Sequence, residues 1–303
     1  MLTYDQYVVA SSIAEVFDIL DAHPASRILA GATDLLPWAR YGRAGDVHLS
    51  SVIDISKVPE FKYIQQSEGG LSFGAMTTIA DFQNNPILRE HASVLAQCAV
   101  WFADDQIREQ ATVGGNVVNA SPAGDSQPAL LALNASVKLI RRENGKLLER
   151  SIPLVDFIQG PGKTTMLPKE LLLGFECDST RTYGSAYEKV GHRRSLVIST
   201  VCLAVIAKCN IDKNALADIR IGIGAVGPVP KRLKDIENAL IGKKITGQLI
   251  RQIAEQASEF VQSRSRQEYR REVLVNFVER AIVTAINQSG IKLARYGEEE
   301  ICV

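Results

Sequence analysis

The chain has 303 residues, 46% of them hydrophobic and 22% charged, the usage of an ordinary globular protein rather than a disordered or fibrous one. Thirty-four basic residues balance thirty-four acidic ones, which argues against a polyanion as the main partner, because nucleic-acid binders draw most of their affinity from clustered Lys and Arg. Cys98, Cys177, Cys202, Cys209 and Cys302 form no CxxC pair and no zinc- or cluster-like spacing; with no signal segment and no apolar run near the ~20 residues of a membrane span, a cytoplasmic protein with reduced thiols is expected.

The length allows two domains, each with its own core. Ser12 stands three residues before Glu15, and Ile13, Val16, Phe17 and Leu20 follow at helical spacing, so a capped amphipathic helix opens the chain. Residues 27–30 read as a short strand stopped by Gly31, and residues 47–55 as a second strand after a helical or loop segment around Trp38. Residues 62–66 and 71–75 flank Glu68-Gly69-Gly70 as a hairpin, and residues 79–100 carry helical patterning interrupted near Pro86. Residues 111–124 contain no charge at all.

Residues 136–142 and 146–152 flank Asn144-Gly145, a strong hairpin signal. Gly160-Pro161-Gly162 reads as a turn, residues 171–176 as a strand, and residues 179–184 as a polar linker between domains. Beyond it, residues 195–209 fit a buried strand, and Ile219, Ile221 and Ile223 alternate as another. Residues 233–240, 249–261 and 269–286 have helical periodicity, so a small sheet covered by helices is expected, with a solvated tail at Glu298-Glu299-Glu300. The fold class is α+β, with domains at 1–178 (subdomains near 1–56 and 57–178) and 179–290, and a tail at 291–303.

Two segments carry chemistry. In the first, Leu29-Ala30-Gly31-Ala32-Thr33-Asp34-Leu35 runs from a strand through a small-residue turn into an apolar stretch. Such a turn can aim backbone amides at a pyrophosphate, with Asp34 accepting from a ribose hydroxyl, or it can be an ordinary strand-to-helix turn. In the second, Ala111-Thr112-Val113-Gly114-Gly115-Asn116 leads through Asn119, Ser121 and Pro122 to Asp125. Paired glycines before ordered polar residues suit close approach to a phosphate or sugar chain, though Gly-Gly bulges and Asn-rich turns also occur in ligand-free β-structure. Gly222-Ile223-Gly224-Ala225-Val226-Gly227 matches G-x-G-x-x-G, but Pro228 and Pro230 follow at once and preclude the long helix that a dinucleotide fingerprint must open. His23, His48, His91 and His192 lack ligand-like spacing and Ser126 and Ser195 lie in no nucleophile elbow, so neither a metal nor a catalytic side chain is assigned.

Together the two segments resemble the FAD-binding subunits of molybdenum hydroxylases, in which an A-G-G-T-D-L-type turn precedes A-T-I-G-G-N-x-x-x-x-S-P-x-x-D. Ser185-Ala186-Tyr187-Glu188-Lys189-Val190, followed by Arg193 and Arg194, and the segment from Gly224 to Pro230 extend the likeness over nearly the whole chain. The resemblance implies a two-part vanillyl-alcohol-oxidase-type (PCMH-type) FAD domain followed by a small α+β domain. It assigns FAD to Leu29, Ala30, Gly31, Ala32, Thr33, Asp34 and Leu35 in one turn and to Ala111, Thr112, Gly114, Gly115 and Asn116 in the other. Asn119 and Asp125 would contact ribityl or ribose hydroxyls, Ser121 belongs to the cofactor-binding set, Leu172 would lie near the ring system, and Tyr187 and Lys189 near the isoalloxazine. Two positions depart from the pattern: Ala32 replaces the second glycine, and Glu109 replaces the Asn that follows Ile-Arg.

The chain lacks the cysteines for a [2Fe-2S] domain and the length for a molybdopterin domain, so the resemblance implies partner subunits carrying both, with FAD passing their electrons to NAD or another acceptor. Two rivals remain: a self-sufficient flavin oxidoreductase of the same superfamily, which would turn over alone, and a non-catalytic scaffold with a degenerate flavin site, which would be colourless.

Overall fold

The computed structural model describes residues 2–41, 48–68, 70–193 and 196–293. Val47, Gly69, Arg194, Ser195, the acidic run 298–300 and Cys302, all used in the sequence reading, lie outside the described residues.

A first layer comprises β1 (Thr3–Val9), α1 (Ile13–Ala22), β2 (Arg27–Leu29), α2 (Leu35–Arg40) and β3 (His48–Asp54). Its strands are parallel in the order β1-β3-β2. The expected cap is present: the Ser12 hydroxyl accepts from the Glu15 amide, and Ile13, Val16, Phe17 and Leu20 are the buried face of α1. Arg142 reaches from the next layer to Asp18 and Asp21 and lies over the Phe17 ring, tying α1 down. The sequence reading did not anticipate β1.

The second layer begins with the hairpin β4 (Ile64–Ser67) and β5 (Gly70–Gly74). What reads as one interrupted helix is three: α3 (Ile79–Asn84), α4 (Pro86–His91) and α5 (Ser93–Trp101). Asn85 ends the first and caps the second, with Pro86 in the first turn, where its missing amide costs nothing. Three short helices follow: α6 (Asp105–Gln110), α7 (Val113–Val118) and α8 (Ser126–Ala132). The hairpin β6 (Ser136–Glu143) and β7 (Lys146–Pro153) turns on Asn144 (φ 50°) and Gly145 (φ 75°), the left-handed pair expected of a two-residue connection. Then come α9 (Leu154–Phe157), the small ribbon β8 (Ile158–Gly160) and β9 (Lys163–Thr164), and β10 (Leu171–Asp178), which inserts between β5 and β6 to complete a five-stranded sheet β4-β5-β10-β6-β7.

Beyond residue 183, β11 (Gly184–Val190), β12 (Val201–Asn210), β13 (Ala215–Gly224) and β14 (Lys231–Arg232) form an antiparallel sheet in chain order. It is covered by α10 (Lys234–Leu240), α11 (Gly247–Ala254) and α12 (Gln267–Gln288). β12 begins six residues later than its composition suggests. Seven consecutive residues of this strand are buried because both faces are covered. Cys202, Ala204 and Ile206 face the first core, whereas Val201, Leu203, Val205 and Ala207 face the helices. Gly222 and Gly224 let β13 press against Pro128 of α8, where a Cβ on Gly222 would stand 2.1 Å from the Pro128 carbonyl oxygen. The G-x-G-x-x-G segment therefore ends a strand and serves packing.

Candidate functional site

The first turn leaves β2 at Leu29 and enters α2 at Leu35. Gly31 lies so close to the end of α6 that a Cβ would meet the Gln110 carbonyl oxygen at 1.9 Å. Ala32 then takes φ 56°, in the left-handed region, where an L side chain costs roughly 1–2 kcal/mol. The departure from glycine at this position therefore leaves the turn's shape intact and stores strain in it. Ala32→Gly is expected to raise the melting temperature by a few degrees, tempered by glycine's greater unfolded-state entropy, without weakening ligand binding; differential scanning calorimetry reads it, and a lower melting point would contradict the strain.

Among the described residues none accepts a hydrogen bond from the amides of Gly31, Ala32, Thr33 or Asp34. Asp34 sits at the accessible rim and accepts from Asn119 Nδ2 at 2.8 Å, and desolvation by the surrounding protein raises its pKa.

The second turn is built differently. Its amides are used internally: Val113 donates to the Thr77 carbonyl, Gly114 to Ala75, and Gly115 to the Thr112 hydroxyl that caps α7. Gly114 lacks a Cβ because one would stand 2.7 Å from Ala75. Ala111, Thr112 and Gly114 are buried, Gly115 is exposed, and Asn116, Asn119 and Ser121 are half-buried. This turn thus presents side chains, where the first presents backbone.

Asp125, Tyr187 and Lys189 form a third group, at the seam between α8 and β11. Lys189 Nζ donates to Asp125 Oδ2 at 2.6 Å and to the Trp101 carbonyl at 3.1 Å. Ser199 donates to Asp125 Oδ1 at 2.5 Å, and Tyr187 and Cys98 both donate to the Asp125 carbonyl. Burial raises the Asp125 pKa although Lys189 and Ser199 oppose it, and burial pushes the Tyr187 and Cys98 pKa values well above their ordinary range. Beside this cluster opens a cleft of about 180 Å³ lined by Trp101, Lys189, Val190, Gly191, Arg193 and Val197.

The structure thus brings the first and second turns together, through Gly31 against Gln110 and Asn119 on Asp34, and residues 116–125 lead from them to the Lys189 cleft. Leu172 stands in β10 opposite Leu139, one residue from Leu173, whose carbonyl accepts from the same Ala75 that holds Gly114. Sequence reasoning missed Ser199, Trp101 and Gln127. Ser199 is hidden in a run with strand composition, and Gln127 sits two residues past the motif.

The strip fits an elongated dinucleotide on two counts. Four successive amides with no acceptor among the described residues make an anion-binding turn at one end. Buried side chains behind the second turn, Gln127 and Thr77, carry polar atoms with no hydrogen-bond partner, as expected of groups whose surroundings a ligand completes.

Comparison with known proteins agrees. Residues 3–177 match the model described as "FAD binding domain in molybdopterin dehydrogenase", and residues 185–285 match "CO dehydrogenase flavoprotein C-terminal domain". The glyceraldehyde dehydrogenase medium chain of Sulfolobus acidocaldarius is 30% identical over 273 residues, 88% of this chain and 93% of that one. A putative xanthine dehydrogenase FAD-binding subunit of Escherichia coli is 28% identical over 97% of this chain and all of its own length. Among solved structures, a chain of carbon monoxide dehydrogenase from Hydrogenophaga pseudoflava superposes with a TM-score of 0.84 at 25% identity, covering 93% of this chain and 97% of that one.

Proposed function

The chain belongs to the family of FAD-binding domains in molybdopterin dehydrogenases, and from that premise we propose that it is the electron-transfer flavin subunit of a multi-subunit molybdenum hydroxylase, taking electrons from iron-sulfur clusters on a partner subunit and delivering them to NAD or another acceptor. The observation that carries the reading is the run of open amides from Gly31 to Asp34, joined by Asn119 to the second turn.

FAD, when bound, supplies the redox chemistry, accepting electrons singly and releasing them in pairs. The chain's own residues bind and orient it. The amides of Gly31, Ala32, Thr33 and Asp34 hold the pyrophosphate, and the Asp34 carboxylate serves a ribose hydroxyl. Leu29, Ala30 and Leu35 wall the first turn, while Ala111, Thr112, Gly114 and Gly115 shape the second. Asn116, Asn119 and Ser121 line the path of the ribityl chain. Lys189 stands at the cleft, held by Asp125 with Tyr187 bonded to the same residue, and Leu172 would lie near the ring system. No helix among the described residues is long and apolar enough to cross a membrane; the proposed assembly is cytoplasmic, with separate iron-sulfur and molybdopterin subunits. The need for partners rests on the likeness to medium chains of other dehydrogenases; turnover by the purified chain alone would favour a self-sufficient flavoenzyme instead.

The test is the visible spectrum of the purified full-length chain, with release and identification of the chromophore. Stoichiometric FAD is expected. Colourless protein that also takes up no added FAD overturns the reading and leaves the scaffold.

A further inference from the structure

Gln127 is wholly buried in the first turn of α8, and neither its Nε2 nor its Oε1 has a hydrogen-bond partner. It is the one side chain among the described residues with both polar atoms of its head group in this state. Because an unpaired carboxamide is among the costlier things a protein interior can hold, an apolar side chain of the same shape would make a more stable free chain.

Its surroundings point to the second turn. Gly124 makes the room: a Cβ there would stand 2.4 Å from Gln127 Nε2 and 3.2 Å from Asn116 Oδ1, so both carboxamides converge on the bare face of this glycine. Asn116 Oδ1 already accepts from the Ser126 hydroxyl at 2.7 Å and has a second lone pair to offer. With the Asn116 oxygen engaged by Ser126, its amide nitrogen, which diverges from that oxygen in the carboxamide plane, is left to donate elsewhere, on a residue that is half-buried beside exposed Gly115.

We propose that Gln127 is a positioning residue for the cofactor site: when a dinucleotide lies along the strip, the Gln127 carboxamide turns so that Nε2 donates to the free lone pair of Asn116 Oδ1. Asn116 is then pinned by two donors, with its own nitrogen presented to a phosphate or hydroxyl oxygen of the ligand. Gln127 so links the stability of the free chain to its affinity: the group that weakens the fold without ligand strengthens the site with it. This inference rests on the flavin reading above.

Gln127→Met keeps the length of the side chain and removes both polar atoms. In the full-length chain stripped of flavin, the melting temperature is expected to rise by roughly 2–4 °C, while the Kd for FAD, followed by quenching of flavin fluorescence, weakens by about tenfold. A purely structural role would lower the melting temperature and the affinity together. In the wild-type chain labelled with ¹⁵N-glutamine, a side-chain NH₂ signal that moves downfield on adding FAD, as a new hydrogen bond requires, and is missing from Gln127→Met, gives the same answer should the variant be too unstable for thermal analysis. A higher melting temperature with unchanged Kd makes the amide idle. A lower one means that it is already paired in the free chain, for instance by a buried water, and either result overturns the proposal. If the wild-type chain takes up no FAD, the flavin reading itself fails, and that is known before any variant is made.

Discussion

Gly31→Val is expected to abolish measurable FAD binding and to destabilise the chain as well. The reason is where the missing side chain would go. A Cβ on Gly31 stands 1.9 Å from the Gln110 carbonyl oxygen and 2.7 Å from its carbon, both backbone atoms that cannot rotate away. The turn after β2 and the end of α6 must therefore separate, which moves the open amides of residues 31–34 from the Asn119 side of the site. A hydrogen bond to a charged group contributes about 1.5–3 kcal/mol, so losing two of the amide contacts to a pyrophosphate weakens binding by ~100-fold or more. The overpacking itself costs about 1–3 kcal/mol of stability. Gly145→Ala is the control: it adds a side chain at φ 75°, with nothing within 4 Å, and should cost only backbone strain and leave FAD affinity unchanged. Equal affinity of Gly31→Val and wild type by fluorescence titration would remove the first turn from the binding site.

How much of this was legible in the sequence depends on how local the signal is. Ser12 and Glu15, Asn144-Gly145, and the alternation of Ile219, Ile221 and Ile223 each declare their structure within a few residues, and each is where it was expected. β1 declares nothing, because six of its seven residues are exposed and no apolar alternation marks it; it exists through parallel pairing with β3, more than forty residues away. The late start of β12 has a local sign that composition conceals: Leu196 takes φ 51°, outside the extended region, and pairing with β11 begins only at Val201.

The same division runs through the site. The small residues of both turns are visible as a pattern, but their roles differ in a way that the pattern does not show. The open amides of the first turn follow from its irregular path, whereas those of the second are taken by Ala75, Thr77 and Thr112. Asp125 is the clearest case. The resemblance aims its carboxylate at a ribityl or ribose hydroxyl, yet its oxygens meet Lys189 and Ser199, 64 and 74 residues onward. Only the docking of β11 and β12 against α5 and α8 creates that pairing.

That pairing supports a second large effect. Lys189→Met removes one partner of an ion pair whose side chains are 3% and 10% exposed, and is expected to cost about 3–5 kcal/mol near neutral pH. The loss should depend on pH in a definite sense. In the unfolded chain Asp125 titrates near the ordinary carboxylate value of about 3.9. In the fold its pKa is already raised by burial, and Lys189 is the chief influence holding it down, so the substitution raises it further. Between the unfolded and folded values the native variant holds a proton that the unfolded chain releases, so stability falls as pH rises through that window. The neighbouring Tyr187, Cys98 and Cys202 have pKa values pushed upward by burial and remain neutral throughout, leaving Asp125 as the group in the cluster that titrates. Urea unfolding at about pH 5 and about pH 8 should therefore show a wider gap between wild type and Lys189→Met at the higher pH. Adding Asp125→Asn removes the titrating proton, and the double variant should recover part of the stability and lose the pH dependence of the gap. A gap of equal size at both pH values would mean that the carboxylate stays ionised without Lys189, with the Ser199 hydroxyl as its remaining partner. The contribution of the lysine, through Asp125 and the Trp101 carbonyl together, would then be the same at both pH values, and the proton uptake proposed for the variant would be wrong.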